Sequence, residues 1–163
     1  MLIKEIINGI SKKLYGFYEG LYDIYVEEVE QGLQMPCFMI NLISSDIRMI
    51  LKPRYKFESV FDVIYFGDGY KDCMDRGSEL YDILEYITIK GFKRKEGFKR
   101  KGSVDPSIDP DKDLIRGTKM NMYIIKNILH FRVNYNLILQ NKPDIIDTME
   151  EHQINIGVVN RWD

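Results

Sequence analysis

Three stretches of the chain alternate between apolar and polar residues. The first runs from 54 to 66, with Ser59 as a polar exception on its apolar face, and the others, 120–125 and 129–139, lie on either side of Lys126 and Asn127. A period of two residues predicts strands with one buried face. Asn tolerates the positive φ of a tight turn, so Lys126 and Asn127 predict a hairpin. Residues 23–29 predict a short strand, and 37–43, apolar on both faces, a central one.

Two other segments carry apolar residues at spacings of three and four. Residues 2–18 form one amphipathic stripe, which predicts a helix that buries one face. The second predicted helix covers about 71–89 and ends before Gly91, a natural C-terminal stop. Its stripe consists of Cys73, Gly77, Leu80, Ile83, Leu84 and Ile87.

The order of these elements predicts an α+β fold. Helix, three strands, helix, loop and hairpin fit an antiparallel sheet of about four to five strands with two helices packed on one face. We expect a single domain over 1–143, with a long basic loop inserted at 91–113, and a C-terminal tail over 144–163. Within the tail, Ile154, Ile156 and Val158 alternate, which predicts a strand too short to stand alone. It is a candidate for pairing with a neighbouring subunit.

The charge of the chain is concentrated in the inserted loop. The 163 residues sum to −2, but the tandem repeat GFKRKE and GFKRKG at 91–102 carries +5, which leaves −7 for the rest. The repeat predicts a local contact with nucleic-acid phosphates, or else a solvated hairpin or a contact with acidic surface on a neighbouring subunit. The candidate contact residues are Lys93, Arg94, Lys95, Lys99, Arg100 and Lys101.

The chain offers little that predicts catalysis or metal binding. Cys37 and Cys73 lie far apart and read as buried thiols, and His130 falls on the polar face of the predicted hairpin. The acidic run beginning at Asp109 lacks the glycine and glutamate of a calcium loop. We therefore expect no enzyme activity, no cofactor and no metal. No apolar run approaches the roughly 20 residues of a membrane span, so no membrane contact is expected.

Three sequence blocks resemble the tail terminator family of tailed phages and of phage-tail-like bacteriocins from Gram-positive bacteria. They are YVEEVEQGLQMPCF at 25–38, LYDILEYI at 80–87 and RGTKMNMYIIKNILHFRVNYN at 116–136. The family commonly has Asp-Gly at the hairpin turn, where this chain has Lys-Asn, and the GFKRK repeat has no counterpart in the family pattern. The motif positions are Glu28, Glu30, Gly32, Pro36, Arg116, Gly117, His130 and Asn134.

This resemblance implies a structural role in a virion or phage-tail-like particle assembled in the bacterial cytoplasm. It implies a ring, generally of six copies, that caps the head-proximal end of the tail tube and stops its growth. The implied partners are other copies of the chain, the tube protein, and neck or sheath proteins, with DNA passing without specific binding. Two alternatives stay open: a nucleic-acid-binding module acting through 91–102, and a head–tail joining protein of the neck.

Overall fold

A computed structural model of the chain describes residues 2–26, 32–90 and 112–139. The fold is α+β, as the order of the sequence patterns predicted. Two helices and six strands follow one another along the chain: α1 (Leu2–Tyr18), β1 (Asp23–Val26), β2 (Cys37–Leu51), β3 (Arg54–Phe66), α2 (Tyr70–Ile83), β4 (Tyr86–Lys90), β5 (Lys112–Ile125) and β6 (Ile128–Leu139).

All six strands belong to one sheet with the order β1-β2-β3-β6-β5-β4. β1 runs parallel to β2, and every other neighbouring pair is antiparallel. The prediction of four to five antiparallel strands was therefore wrong in number and in the pairing of β1. The parallel pair covers only four residues, from Asp23 with Cys37 to Val26 with Ile40, which is too short to leave its own signal in the sequence.

The sixth strand comes from the segment predicted as the end of the second helix. α2 ends at Ile83 rather than near residue 89, and Tyr86–Lys90 form β4. Within β4, Ile87 and Ile89 are buried while Tyr86, Thr88 and Lys90 are exposed, which is the period of a strand. Ile87 fits both periods, because it lies three residues after Leu84 and two before Ile89. Pairing with β5 decides in favour of the strand.

Two strands are longer than their sequence patterns indicated, because irregular pairing shifts the alternation. β2 continues past residue 43 to Leu51, and its register against β3 shifts between Leu42 and Ser44. β5 begins at Lys112, so the predicted loop over 91–113 is wrong for its last two residues. Its register against β6 shifts between Thr118 and Asn121. An extra residue reverses which side chains face the core and therefore hides the period of two.

The core lies between the two helices and one face of the sheet. α1 contacts both edge strands, β1 and β4, so the sheet curls and the helix spans its opening. At the end of α1, four aromatic rings pack with centroids 4.8–5.5 Å apart, which ties the helix to β2 and β3. They belong to Tyr18, Tyr22, Phe38 and Tyr65.

The predicted strand faces and hairpin turn are confirmed on the described residues. Phe57, Phe61, Val63 and Tyr65 of β3 are buried on the core face. Lys126 and Asn127 form the turn between β5 and β6 with φ values of 49° and 60°, as a two-residue hairpin requires.

β5 passes close to the backbone after α2 at Gly117. A Cβ atom at this position would stand 2.6 Å from the carbonyl oxygen of Leu84 and 2.9 Å from a methyl group of Val133. Both distances are below van der Waals contact, and the first involves backbone that cannot rotate away. Only glycine lets β5 pass this close to the connection between α2 and β4.

We expect Gly117→Ala to lower the free energy of unfolding by about 1–3 kcal/mol, the range found for overpacked sites. Gly16→Ala is the matched control, because Gly16 lies inside α1 with open space where its Cβ would stand. The control should raise stability by about 0.5–1 kcal/mol. Urea unfolding of both variants measures the difference. Equal effects of the two substitutions would contradict the close approach at Gly117.

Candidate assembly surfaces

Two of the three sequence blocks meet where α2 gives way to β4. The Tyr135 hydroxyl donates a hydrogen bond to the carbonyl oxygen of Leu84 at 2.8 Å. The backbone N–H of Gly117 donates to the carbonyl oxygen of Glu85 at 2.7 Å. The block at 80–87 thus supplies two acceptors, and the block at 116–136 supplies both donors. We call this arrangement of Leu84, Glu85, Gly117 and Tyr135 the junction.

Arg116 lies on the outer side of the junction. Its Nη2 atom is 3.4 Å from Oε1 of Glu85, and its guanidinium stands 5.9 Å from the centre of the Tyr86 ring. The side chain is 65% exposed, so this ion pair contributes at most about 1 kcal/mol to stability. Arg116 is held in place but keeps most of its surface open to a partner. Sequence analysis had not anticipated Glu85, because nothing in the chain indicates that two segments 31 residues apart would pair.

His130 belongs to a polar cluster on the sheet face opposite the helices. Its Nδ1 atom lies 2.9 Å from Oδ2 of Asp62 on β3, and its ring stacks on Tyr123 with centroids 4.9 Å apart. Arg132 donates from Nη2 to the Tyr123 hydroxyl at 3.2 Å. Asp62 is only 5% exposed although it lies on the face of β3 away from the helices. The neighbouring His130 and the residues around it shield the carboxylate from water.

The remaining motif positions in the described ranges lie before β2 and on β6. Gly32 and Pro36 are exposed and lead into β2, and the peptide bond before Pro36 is cis. Phe38, two residues further, enters the aromatic cluster at the end of α1. Asn134 is half-buried on β6, and its carbonyl oxygen accepts a hydrogen bond from the Thr118 hydroxyl at 3.3 Å.

Several predicted site residues lie outside the described residues. These are Glu28 and Glu30, the six cations of the basic repeat, and the tail residues Ile154, Ile156 and Val158. The described chain stops beside the repeat at Lys90, the last residue of β4. There, α1 and β4 border an open cleft of about 380 Å³ whose rim carries Lys12, Lys13 and Lys90. The positive charge of the repeat is therefore continuous in sequence with a lysine-bearing surface.

Within the described ranges we find no reactive thiol, no group of metal ligands and no helix that could span a membrane. Cys37 and Cys73 are free and buried, and burial raises the pKa of both thiols, which suppresses the reactive thiolate. In the ranges 2–26, 32–90 and 112–139, no three His, Cys, Asp or Glu side chains are grouped as metal ligands. Neither described helix combines the length and the apolar character needed to cross a bilayer.

Comparison with protein families identifies the chain. A sequence model of phage tail terminator proteins matches residues 5–147, a span that contains all three sequence blocks and the whole junction. The chain belongs to the phage tail terminator family. This terminator is thus a structural, virion-associated protein of the phage tail, as the three blocks had indicated. No curated protein matches its sequence.

The buried hydroxyl of Tyr135 in the junction predicts how the stability of the protein depends on pH. Burial raises the pKa of Tyr135 far above its usual range. Replacing Tyr135 by Phe removes the bond to Leu84 and should cost about 1–2 kcal/mol at pH 8. Above pH 10 the unfolded chain releases the tyrosine proton while the native protein keeps it, so the cost should shrink by about 1.4 kcal/mol per pH unit. Urea unfolding at pH 8, 10 and 11 tests this, and a cost that stays constant with pH would refute it.

Proposed function

We propose that this terminator assembles into a closed ring, with six copies, on the head-proximal end of a tail tube. The ring stops further addition of tube protein and provides the surface that neck proteins, or the last sheath ring in a contractile particle, attach to. Its role is structural and not enzymatic, and assembly takes place in the bacterial cytoplasm. The family match over residues 5–147 carries this proposal.

The sheet supports a ring because both of its edges carry backbone that a neighbour could use. β4 forms one edge, and β2 extends well past β1 at the other. A ring of identical copies needs a head-to-tail contact, in which two different surfaces of each copy meet. Two edges on opposite sides of one sheet satisfy that requirement.

Apolar side chains are exposed at both ends of the molecule as well. Tyr15, Phe17 and Leu21 surround the end of α1, and Met49, Ile50 and Leu51 lie at the end of the β2–β3 hairpin. Grouped apolar exposure of this kind is typical of surfaces that become buried in an assembly. It supports contacts with other copies and with the tube.

Tail length tests the proposed capping role. In cells that produce the particle without this chain, tube growth should continue past its normal stop, and electron microscopy should show overlong tubes of variable length. Supplying the Gly16→Ala variant, which is expected to fold, should restore the normal length. Tails of normal length in cells without the chain would contradict capping.

The basic repeat is proposed to contact the tube or passing DNA. Reversing the charge of Lys93, Arg94, Lys99 and Arg100 to Glu should leave the ring intact and reduce capping. A matched control reverses four exposed lysines elsewhere, Lys4, Lys71, Lys119 and Lys126, and should cap normally. Negative-stain microscopy of tubes mixed with each variant measures the capped fraction. Equal capping by both variants would remove the repeat from the contact.

A nucleic-acid-binding function is the second candidate, since the repeat follows directly on the lysine rim of the cleft beside β4. It predicts that the isolated protein binds duplex DNA and loses about 10³-fold or more in affinity between 50 and 200 mM salt, if about six phosphates are contacted. A terminator predicts binding to tube ends instead. Fluorescence anisotropy with labelled DNA at the two salt concentrations separates these functions.

A further inference from the structure

β2 leaves most of one edge without a strand partner. β1 pairs only with Cys37–Ile40, whereas β2 continues for eleven more residues to Leu51. On its other side, β2 pairs with β3 almost throughout this extension. Within the described ranges, no strand lies against the outer side of residues 41–51. We call this stretch the open edge.

The open edge lacks part of the protection that natural sheet edges usually have. Such edges commonly carry charges, prolines or bulges that discourage pairing. Two register shifts against β3, between Leu42 and Ser44 and between Met49 and Leu51, leave 44–49 regularly paired. In that part the charges are confined to Asp46 and Arg48, which pair with each other at 3.7 Å. The flanking residues are small or apolar, and Met49 and Leu51 are 54% and 71% exposed. This combination favours an added strand with an apolar face.

The apolar side of the open edge is defined by its register with β3. Ser45 lies opposite Ser59, Ile47 opposite Phe57 and Met49 opposite Tyr55. Phe57 and Ser59 are buried on the core face of the sheet. An added strand with apolar residues at every second position would therefore extend the core face past β2, next to Ile47 and Met49.

The chain itself contains a segment with this pattern. Ile154, Ile156 and Val158 alternate in the 24 residues that follow Leu139. β6 ends at Leu139 opposite Tyr55, near the turn that joins β2 to β3. The chain thus leaves the sheet at the same end as the open edge. Residues 140–153 can span roughly 45–50 Å when extended, so residues 154–158 need not pair within their own chain.

We propose that residues 154–158 of one copy pair as a strand with the open edge of β2 in the next copy. This inference rests on the proposed ring and names the contact that closes it. Backbone hydrogen bonds supply the affinity, and the alternating apolar side chains select the face. Each subunit donates one strand and accepts one, so the contact repeats around the ring without a free end.

Disulfide trapping tests the contact in the full-length protein. Two variants are mixed before assembly, one carrying Ser45→Cys on the open edge and the other Ile156→Cys in the tail. The native Cys37 and Cys73 are buried and should not interfere. Mild oxidation of assembled rings should yield covalent dimers that contain one copy of each variant. The matched control replaces Ser45→Cys by Thr88→Cys, an exposed residue on the opposite edge of the sheet.

Three other outcomes would overturn the proposal, because each shows that the tail does not pair with β2 of the next copy. Crosslinking to Thr88→Cys places the tail on β4. A double variant carries Ser45→Cys and Ile156→Cys in the same chain. If it forms a disulfide within one chain and no covalent dimers, the tail lies on its own β2. Rings with no crosslink at Ser45→Cys leave the open edge unpaired by the tail. In all three cases the ring itself, and with it the proposed function, would stand.

Deletion of residues 152–163 provides a second, independent readout. The truncated protein should remain folded, with a far-ultraviolet circular dichroism spectrum close to that of the full chain, and its solution mass should fall about sixfold to that of one chain. A truncated protein that still forms the full ring would refute the strand contact. A full-length protein that is monomeric would instead refute the ring and the proposed function.

Discussion

The close backbone approach at Gly117 holds the parts of this terminator in their relative positions. β5 passes the end of α2 with no room for a side chain, and the N–H of Gly117 and the hydroxyl of Tyr135 bond the two carbonyl groups there. Directly after this contact, β4 pairs with β5 and forms the edge of the sheet. α1 packs against β4 and, through Tyr18, reaches the aromatic cluster on β2 and β3. Loosening the junction would therefore free both an edge strand and a helix.

Sequence analysis predicted the elements whose apolar residues follow a single period along their length. α1, β3, β6 and the turn at Lys126 and Asn127 are of this kind, and each pattern reports a single buried face. Ser59 broke the pattern of β3, and the structure shows why it is tolerated: its hydroxyl donates to the carbonyl oxygen of Tyr135 at 2.8 Å inside the core.

The elements that sequence analysis missed depend on pairing between distant segments. The irregular registers in β2 and β5 reverse the alternation partway along each strand, and β4 is a strand because β5 lies beside it. The same limit applied to the candidate surfaces. The polar face of His130 could be predicted, but the partner Asp62 could not, because the two residues are 68 positions apart and meet only through the register of β3 and β6.

The described domain combines a packed core with exposed apolar surface. Its core contains large aromatic side chains that are fully buried. The end of the β2–β3 hairpin exposes apolar side chains, and within the described ranges no strand lies against the outer side of β2 at 41–51. In the sequence, the charged repeat follows β4 and the tail follows β6. In our account, the folded domain fixes the positions of these exposed surfaces, and neighbouring copies and the tube cover them on assembly.

The solution mass of the purified full-length protein tests the central claim most directly. Multi-angle light scattering after size-exclusion chromatography should give about six times the 19.3 kDa of one chain, and particles in the peak fraction should appear as rings by electron microscopy. A single species of 19.3 kDa at concentrations well above those in the cell would contradict a self-assembling ring.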